Sequence, residues 1–254
     1  MSDFNRGYSR SATAQTADMA VDAGLRAFML GVYNKVALGL ILSAALAFVT
    51  SSVSPISEMM FRTVVTPDGV QHFAGATGLG MIVAFSPLAV LLFSGFSLRN
   101  PTPAGTTMLY WTIVSLIGAS LGWVVLAYTG ASIALTFLIT AASFGALSLV
   151  GYTTKKDLTG FGSFLIMGVF GLMIAMVVNM FLRSPAIYFI VNALGVLIFA
   201  GLIAYDTQRL KMTYYRLGGD QAALGVATNY GALTLYINFI NLFQFLLSFM
   251  GGRR

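Results

Sequence analysis

The segment Gly201–Gly219, with the sequence GLIAYDTQRLKMTYYRLGG, closes a long apolar stretch and then turns basic. It puts the carboxylate of Asp206 where that stretch ends, and no other segment apolar enough to lie in a membrane contains an acid. An ionisable group in hydrocarbon costs on the order of 3 kcal/mol, so such groups are usually functional or paired. We therefore interpret the rest of the chain as a scaffold around Asp206.

The composition is that of an integral membrane protein. Of the 254 residues, 57% are hydrophobic and 9% are charged, whereas a soluble domain has about 25% charged residues. The mean hydropathy of +0.84 agrees. The basic pI of about 9.7 does not indicate nucleic-acid binding, because the basic residues stand at helix ends and in short loops. The absence of cysteine excludes disulfide and thiol chemistry.

Seven apolar segments each approach the roughly 20 residues that a helix needs to cross the hydrocarbon. They predict an all-α integral membrane protein, a seven-transmembrane-helix bundle, with spans at about 32–52, 77–97, 108–128, 131–151, 161–182, 186–206 and 230–250. The sixth helix is expected to continue as an amphipathic extension to Leu217, where Gly218 and Gly219 supply a left-handed stop.

The chain divides into a polar N-terminal segment, residues 1–30, and a membrane domain, residues 31–254. Within the first, Asp18–Met29 is either an interfacial helix or a solvated tail. The longest loop between helices, residues 53–76, contains the one histidine, His72. Without a second nitrogen or sulfur ligand nearby, His72 is interpreted as an ordinary loop residue rather than a metal ligand.

Positive charge predicts the orientation, because cytoplasmic loops carry an excess of Lys and Arg. With the N-terminus inside, ten basic residues lie at inner positions and four at outer positions. The inner residues are Arg6, Arg10, Arg26, Lys35, Arg99, Lys155, Lys156, Arg209, Lys211 and Arg216. The outer residues are Arg62, Arg183, Arg253 and Arg254. The C-terminus is then outside, unless the seventh segment re-enters the membrane without crossing it.

Two rows of polar residues share helix faces. Asn192 and Asp206 are fourteen residues apart on the sixth helix, close to four full turns. On the seventh, Thr234, Asn238 and Asn241 fall at i, i+4 and i+7. Because one inner loop joins these helices, both rows are expected to point into the bundle.

Near Asp206, three neighbours in the sequence bear on its carboxylate. Arg209 lies one turn on, and Tyr205 and Gln208 are candidates to donate hydrogen bonds that orient it. Two interpretations stay open. Either the asparagines only bridge helices while Asp206 faces headgroup water beside Arg209, or these groups line a hydrated cavity or ion pathway.

The sequence offers few of the residues that enzyme catalysis requires, and no cofactor is expected. No His or Cys lies in the predicted spans, and residues 230–250 contain no lysine for a retinal Schiff base. A tight calcium site needs several oxygen ligands, usually with more than one carboxylate. One Asp with amides is expected to bind calcium weakly, so passage of a cation fits better than tight binding.

Three segments resemble the Bax inhibitor-1 family, particularly its bacterial members. They are ITAASFGALSLVGYTTKKDLTGFGSFLIMG (Ile139–Gly168), GVLIFAGLIAYDTQRLK (Gly195–Lys211) and GALTLYINFINLF (Gly231–Phe243). The resemblance extends over all seven predicted helices. It implies a fold in which the seventh helix is central and surrounded by the other six.

The resemblance also implies a pH-sensitive calcium leak in which an Asp on the sixth helix and an Asp on the seventh share a proton. The first corresponds to Asp206, and the second corresponds to Asn238, which cannot share a proton as a second carboxylate does. An Arg near the end of the second helix that pairs with the sixth-helix Asp in the family corresponds most nearly to Arg99.

Three functions follow as hypotheses. The first is a pH-responsive calcium or cation leak of the bacterial inner membrane, with Asp206 and Asn238 at the gate. The second is a non-conducting regulator that acts on a membrane protease or a stress response through protein partners. A small-solute transporter is the third. The oligomeric state is left open by the sequence.

Overall fold

A computed structural model describes residues 6–65, 71–97 and 100–252 of the chain. Its helices are α1 (Arg6–Ser52), α2 (Ser54–Met60), α3 (Gly78–Ser97), α4 (Pro103–Ser120), α5 (Gly122–Ala127), α6 (Gly130–Thr153), α7 (Thr159–Leu182), α8 (Pro185–Leu217) and α9 (Gln221–Met250). Two strands, β1 (Phe61–Val65) and β2 (Gln71–Ala76), lie between α2 and α3.

Seven of these helical segments are long and apolar enough to cross a membrane, which confirms the predicted all-α membrane fold. Most are longer than the sequence predicted. The first span begins at Ala23, the third joins α4 to α5 as Pro103–Ala127, and the last is all of α9. The extension of α8 to Leu217 is confirmed, and Gly218 ends it with a left-handed backbone, φ 57°.

Capping groups in the sequence fix where several helices begin. Thr102 accepts a hydrogen bond from the Gly105 backbone at 3.1 Å, with Pro103 as the first helical residue of α4. Ser184 and Pro185 start α8 in the same way. These are the residues preferred at the first turn of a helix, where a side-chain oxygen satisfies a free backbone N–H.

Helix α9 occupies the centre of the bundle. It packs against α8, α1, α4 and α6, while α7 packs on α8 and α3 packs on α4. More than half of the apolar window of α9 is buried, the largest share among the seven spans. Beside α9, the helices α6 and α8 approach each other closely at Gly151 of α6. A Cβ at this position would lie 2.1 Å from the Ala204 carbonyl oxygen of α8.

Two regions differ from the sequence predictions. The segment 53–76, expected to be a loop, contains α2 and an antiparallel hairpin that pairs Phe61 with Ala76 and Val64 with His72. The N-terminal segment enters α1 without a break at residue 30. In place of an interfacial or solvated surface, its residues Leu25 and Phe28 are buried in the bundle, with the Phe28 ring 5.6 Å from that of Tyr214.

Basic residues of α8 and of the α6–α7 connection lie at the same end of the bundle as the first described side chains of α1. Lys211 donates to the Tyr152 backbone, Gln208 contacts the Lys156 backbone, and Gly24 lies against Tyr214. This common end agrees with the charge pattern of the sequence. Which side of the membrane it faces stays a prediction; we refer to it as the Arg209 end.

Candidate functional site

Asp206 and Asn238 face each other across the contact between α8 and α9. The tight turn after Leu217 makes the two helices antiparallel, and Asp220 caps α9 by accepting from the backbone N–H groups of Ala222 and Ala223 at 2.9 and 3.1 Å. The residues that precede and follow this turn therefore lie side by side along both helices. Asp206 stands about three turns before the end of α8, well inside the bundle.

The carboxylate of Asp206 is buried, with 4% of the residue exposed, and both of its oxygens are engaged. Asn238 Nδ2 donates to Oδ2 at 2.8 Å, and Arg209 Nη2 lies 3.3 Å from Oδ1. The side chain of Arg209 is 49% exposed, so the ion pair joins a buried acid to a base at the bundle surface. Removing Arg209 would leave the charge of the buried Asp206 carboxylate without its cationic partner.

A cavity of about 660 Å³ adjoins this cluster. Its walls come from α3, α4 and α7, while α8 and α9 contribute Asp206, Arg209, Thr234 and Asn238. Among the described residues that line it, Asp206 is the one carboxylate. The cavity thus brings a single acid into contact with a space large enough for hydrated ions.

A second cavity, of about 360 Å³, continues along α9 away from the Arg209 end. The two cavities share Met176, Asn241, Gln244 and Phe245 in their walls, and the second is also lined by Asn192 and Ser248. From Thr234 to Ser248 the polar row on α9 spans fourteen residues, about 21 Å of helix. A row of that length covers most of the hydrocarbon thickness.

Among the residues that the structure describes, Asn192 and Asn241 line these cavities and donate within their own helices rather than to a neighbouring helix. Asn192 Nδ2 donates to the Tyr188 carbonyl at 2.7 Å and Asn241 Nδ2 donates to the Ile237 carbonyl at 2.8 Å, both within their own helices. Thr234 likewise donates to the Tyr230 carbonyl. Each Asn side chain can therefore still offer Oδ1 as an acceptor at the cavity wall.

Two expected supporting residues, Gln208 and Tyr205, behave differently from the prediction. Gln208 does not orient Asp206: it accepts from the Leu158 backbone at 2.9 Å and donates to the Lys156 carbonyl at 2.8 Å, because the α6–α7 connection passes over its side chain. The ring of Tyr205 lies 5.8 Å from the Arg209 guanidinium. In the described part of the chain, neither residue donates to Asp206. Arg99 lies outside the described residues, and the guanidinium beside Asp206 is that of Arg209.

Sequence reasoning missed a second polar cluster, at the contact of α1, α4 and α9. Asn229 is 1% exposed, and its Nδ2 lies within 2.8 to 3.0 Å of Thr106 Oγ1, Thr107 Oγ1 and the Pro103 carbonyl. Its Oδ1 accepts from Lys35 Nζ. Lys35 was counted only as a charge of the inner end, although it lies twelve residues into its span. The i, i+7 spacing of Asn229 and Tyr236 was the available signal for this face.

No group of three or more His, Cys, Asp or Glu side chains comes together within the described ranges. Tight calcium binding needs several oxygen ligands, usually including more than one carboxylate. Calcium binding at Asp206 therefore stays a prediction of a weak interaction.

Comparison with known proteins supplies the family. Residues 25–254 match the family model described as inhibitor of apoptosis-promoting Bax1. An uncharacterized protein of Caulobacter vibrioides is 66% identical over the full length of both chains. The inner membrane protein YbhL of Escherichia coli is 39% identical over 91% of this chain and 94% of its own. The chain therefore belongs to the Bax inhibitor-1 family of multi-pass membrane proteins.

Proposed function

We propose that this protein is a cation leak, with calcium as the expected ion, and that ions pass the Asp206 carboxylate on their way along α9. The observation that carries the proposal is a single buried carboxylate at the wall of a cavity of about 660 Å³, which adjoins a second cavity whose walls include several amide side chains. The E. coli relative is by name an inner membrane protein, and we propose the same location here, with the N-terminus in the cytoplasm. The role is non-enzymatic.

The polar row supports the proposal because it offers an ion a series of weak acceptors. Asn238, Asn241 and Asn192 present amide oxygens, and Asp206 supplies one carboxylate, whose charge Arg209 offsets in part. Conduction needs sites that bind strongly enough for entry and weakly enough for exit. One carboxylate followed by amides meets that requirement better than a cage of several acids.

An aromatic pair stands between Asp206 and Asn192. The rings of Phe199 and Phe245 are stacked with centroids 5.7 Å apart, and both residues are buried. Phe245 belongs to the walls of both cavities. Apolar constrictions can close a pathway by excluding water, so we propose that this pair separates the two cavities in the structure described here.

The test is calcium flux into dye-loaded proteoliposomes between pH 5 and 8. We expect Asp206→Asn to lower the flux at least roughly tenfold, because one charge at contact distance attracts a cation by more than the ~1.4 kcal/mol that a tenfold change requires. Phe245→Ala is expected to raise it by widening the constriction. Asp157→Asn, which removes an exposed acid that does not line the cavity, serves as the matched control.

Asn238→Asp separates the leak from its alternative. Two carboxylates at the 2.8 Å spacing of this pair would share one proton, so the variant is expected to depend more steeply on pH than the native chain. No flux from the native chain at any pH in this range would refute the leak.

The second candidate is a non-conducting regulator that acts through partners such as a membrane protease. One observation favours it: within the described part of the chain, Asp206 has an amide and an arginine as partners and no second acid. Flux from Asn238→Asp together with none from the native chain would support it. Deletion of residues 1–28 with no change in any partner interaction or stress phenotype would count against it.

A further inference from the structure

An apolar groove lies between α1 and α6, away from the cavities around Asp206. It has a volume of about 450 Å³ and is lined by Arg26, Met29, Tyr33, Phe144, Gly145 and Tyr152, among others. Arg26 and Tyr152 lie at the Arg209 end, while Tyr33 and Phe144 lie about two turns deeper, with their rings edge to face at 6.2 Å. The groove thus runs along the helices from a basic mouth to an aromatic end.

Positive charge is concentrated at the mouth of the groove. Arg26 is exposed. Lys211 of α8 lies with Nζ 5.1 Å from the centre of the Tyr152 ring and donates to the Tyr152 carbonyl at 2.9 Å. An ammonium has three donors, so Lys211 keeps two for another acceptor. Among the side chains that the structure describes, no carboxylate pairs with Arg26.

The interior of the groove suits a hydrocarbon chain. Gly145 leaves it open, because a Cβ added there would meet no atom within 4 Å. Ser148 lies on its floor, 5% exposed, and its hydroxyl has no hydrogen-bond partner among the described residues. Ser148 is one turn, about 6 Å, deeper than Tyr152. An amphiphile with a charged group at the mouth would carry its ester oxygens at that depth.

We propose that this groove binds an anionic phospholipid, with its phosphate between Arg26 and Lys211 and one acyl chain against Met29, Tyr33 and Phe144. Basic pockets between transmembrane helices are known to bind anionic headgroups. A phosphate would neutralise the basic mouth of the groove, whereas an apolar helix from a second copy would not.

Native mass spectrometry of the full chain, titrated with phosphatidylglycerol and separately with phosphatidylcholine, tests the proposal. The native chain should bind phosphatidylglycerol more tightly than phosphatidylcholine, by about fivefold for each basic contact. Arg26→Gln should therefore bind phosphatidylglycerol about fivefold more weakly than the native chain does. Gly145→Trp should block the first lipid bound. Gly171→Trp on α7 is the matched control, since a Cβ is equally unobstructed there and the position is exposed.

Circular dichroism of each variant checks that it is folded before binding is compared. Equal phosphatidylglycerol binding by the native chain and a folded Gly145→Trp would overturn the proposal. So would a native dimer that Gly145→Trp dissociates, because a second copy would then cover the groove. Loss of binding in Gly145→Trp with retention in Gly171→Trp would support it.

Discussion

Asn229 and Asn238 lie on the same helix, nine residues apart, and point from opposite sides of it because nine residues are two and a half turns. On one side, the bonded face of Asn229 and Tyr236 is tied to α1 and α4. On the other, the cavity face of Thr234, Asn238, Asn241 and Ser248 borders open space. The same residue type therefore has two roles on α9, and its partners decide which.

The bonded face satisfies its polar groups with other helices. Tyr236 Oη lies 2.6 Å from Ser43 Oγ, and the Tyr110 hydroxyl donates to the Lys35 carbonyl at 2.6 Å. On the cavity face, within the described part of the chain, only Asn238 donates a hydrogen bond to another helix, to Asp206, while Thr234 and Asn241 donate within α9. Interhelical hydrogen bonds hold membrane bundles together, so the first face should govern stability and the second permeation.

The largest effect is expected from Asn229→Leu. The change removes the hydrogen bonds of the buried Asn229 amide to α4 and takes the acceptor from the half-buried Lys35 ammonium, which should lower the free energy of unfolding by about 3 kcal/mol. Asn241→Leu is the matched control and should cost less than about 1 kcal/mol, since its donor bonds its own helix. Denaturation in detergent measures both. Equal losses would contradict the distinction between the faces.

Lys35→Met combined with Asn229→Leu sharpens that result. Replacing both partners removes the unpaired charge, so the double variant should be more stable than the sum of the single losses predicts, by about 1–2 kcal/mol. The same denaturation series measures this coupling. Strictly additive losses would mean that the Lys35–Asn229 contact contributes nothing of its own.

Tyr236→Phe removes one hydroxyl from the bonded face. Ser43 keeps its contact with the Val114 carbonyl at 3.3 Å, so the expected loss is modest, about 0.6 kcal/mol. Ser248→Ala, at the half-buried wall of the second cavity, should change the free energy of unfolding less. The prediction fails if the cavity-face change is the larger one.

The smallest effect is expected at Asp157, which belongs to neither face. Hydrogen bonds from Thr159, with its backbone N at 2.8 Å, lower the pKa of this exposed carboxyl. A carboxyl whose pKa is lowered in the folded state stabilises that state above the unfolded pKa of about 3.9. This stabilisation is lost as the pH falls through the folded pKa. Asp157→Asn should therefore leave only a small melting-temperature shift at pH 7 and none near pH 2. A melting-temperature shift that is larger near pH 2 than at pH 7 would contradict this prediction.

Periodicity and composition were enough to predict the seven spans, because twenty apolar residues have few alternatives to a membrane helix. Helix geometry predicted that the polar rows of Asp206 and Asn238 point into the bundle from neighbouring helices, and the family resemblance implied that these two residues pair. The hairpin was missed although Thr66-Pro67-Asp68-Gly69 stands between two β-prone runs, a typical turn signal. The roles of Gln208 and Lys35 were predicted wrongly because their partners lie in the α6–α7 connection and on α9, respectively. The spacing of residues along one helix does not reveal contacts of this kind.

Cysteine labelling along α9 tests the central claim most directly, because the natural chain has no cysteine. We would compare Thr234→Cys and Ser248→Cys on the cavity face with Ala232→Cys, which is fully buried towards the bonded side, in nanodiscs treated with a membrane-impermeant maleimide. The account predicts that the cavity-face cysteines react and Cys introduced at Ala232 does not. Equal protection of all three would contradict a hydrated face on α9 and with it the proposed ion pathway.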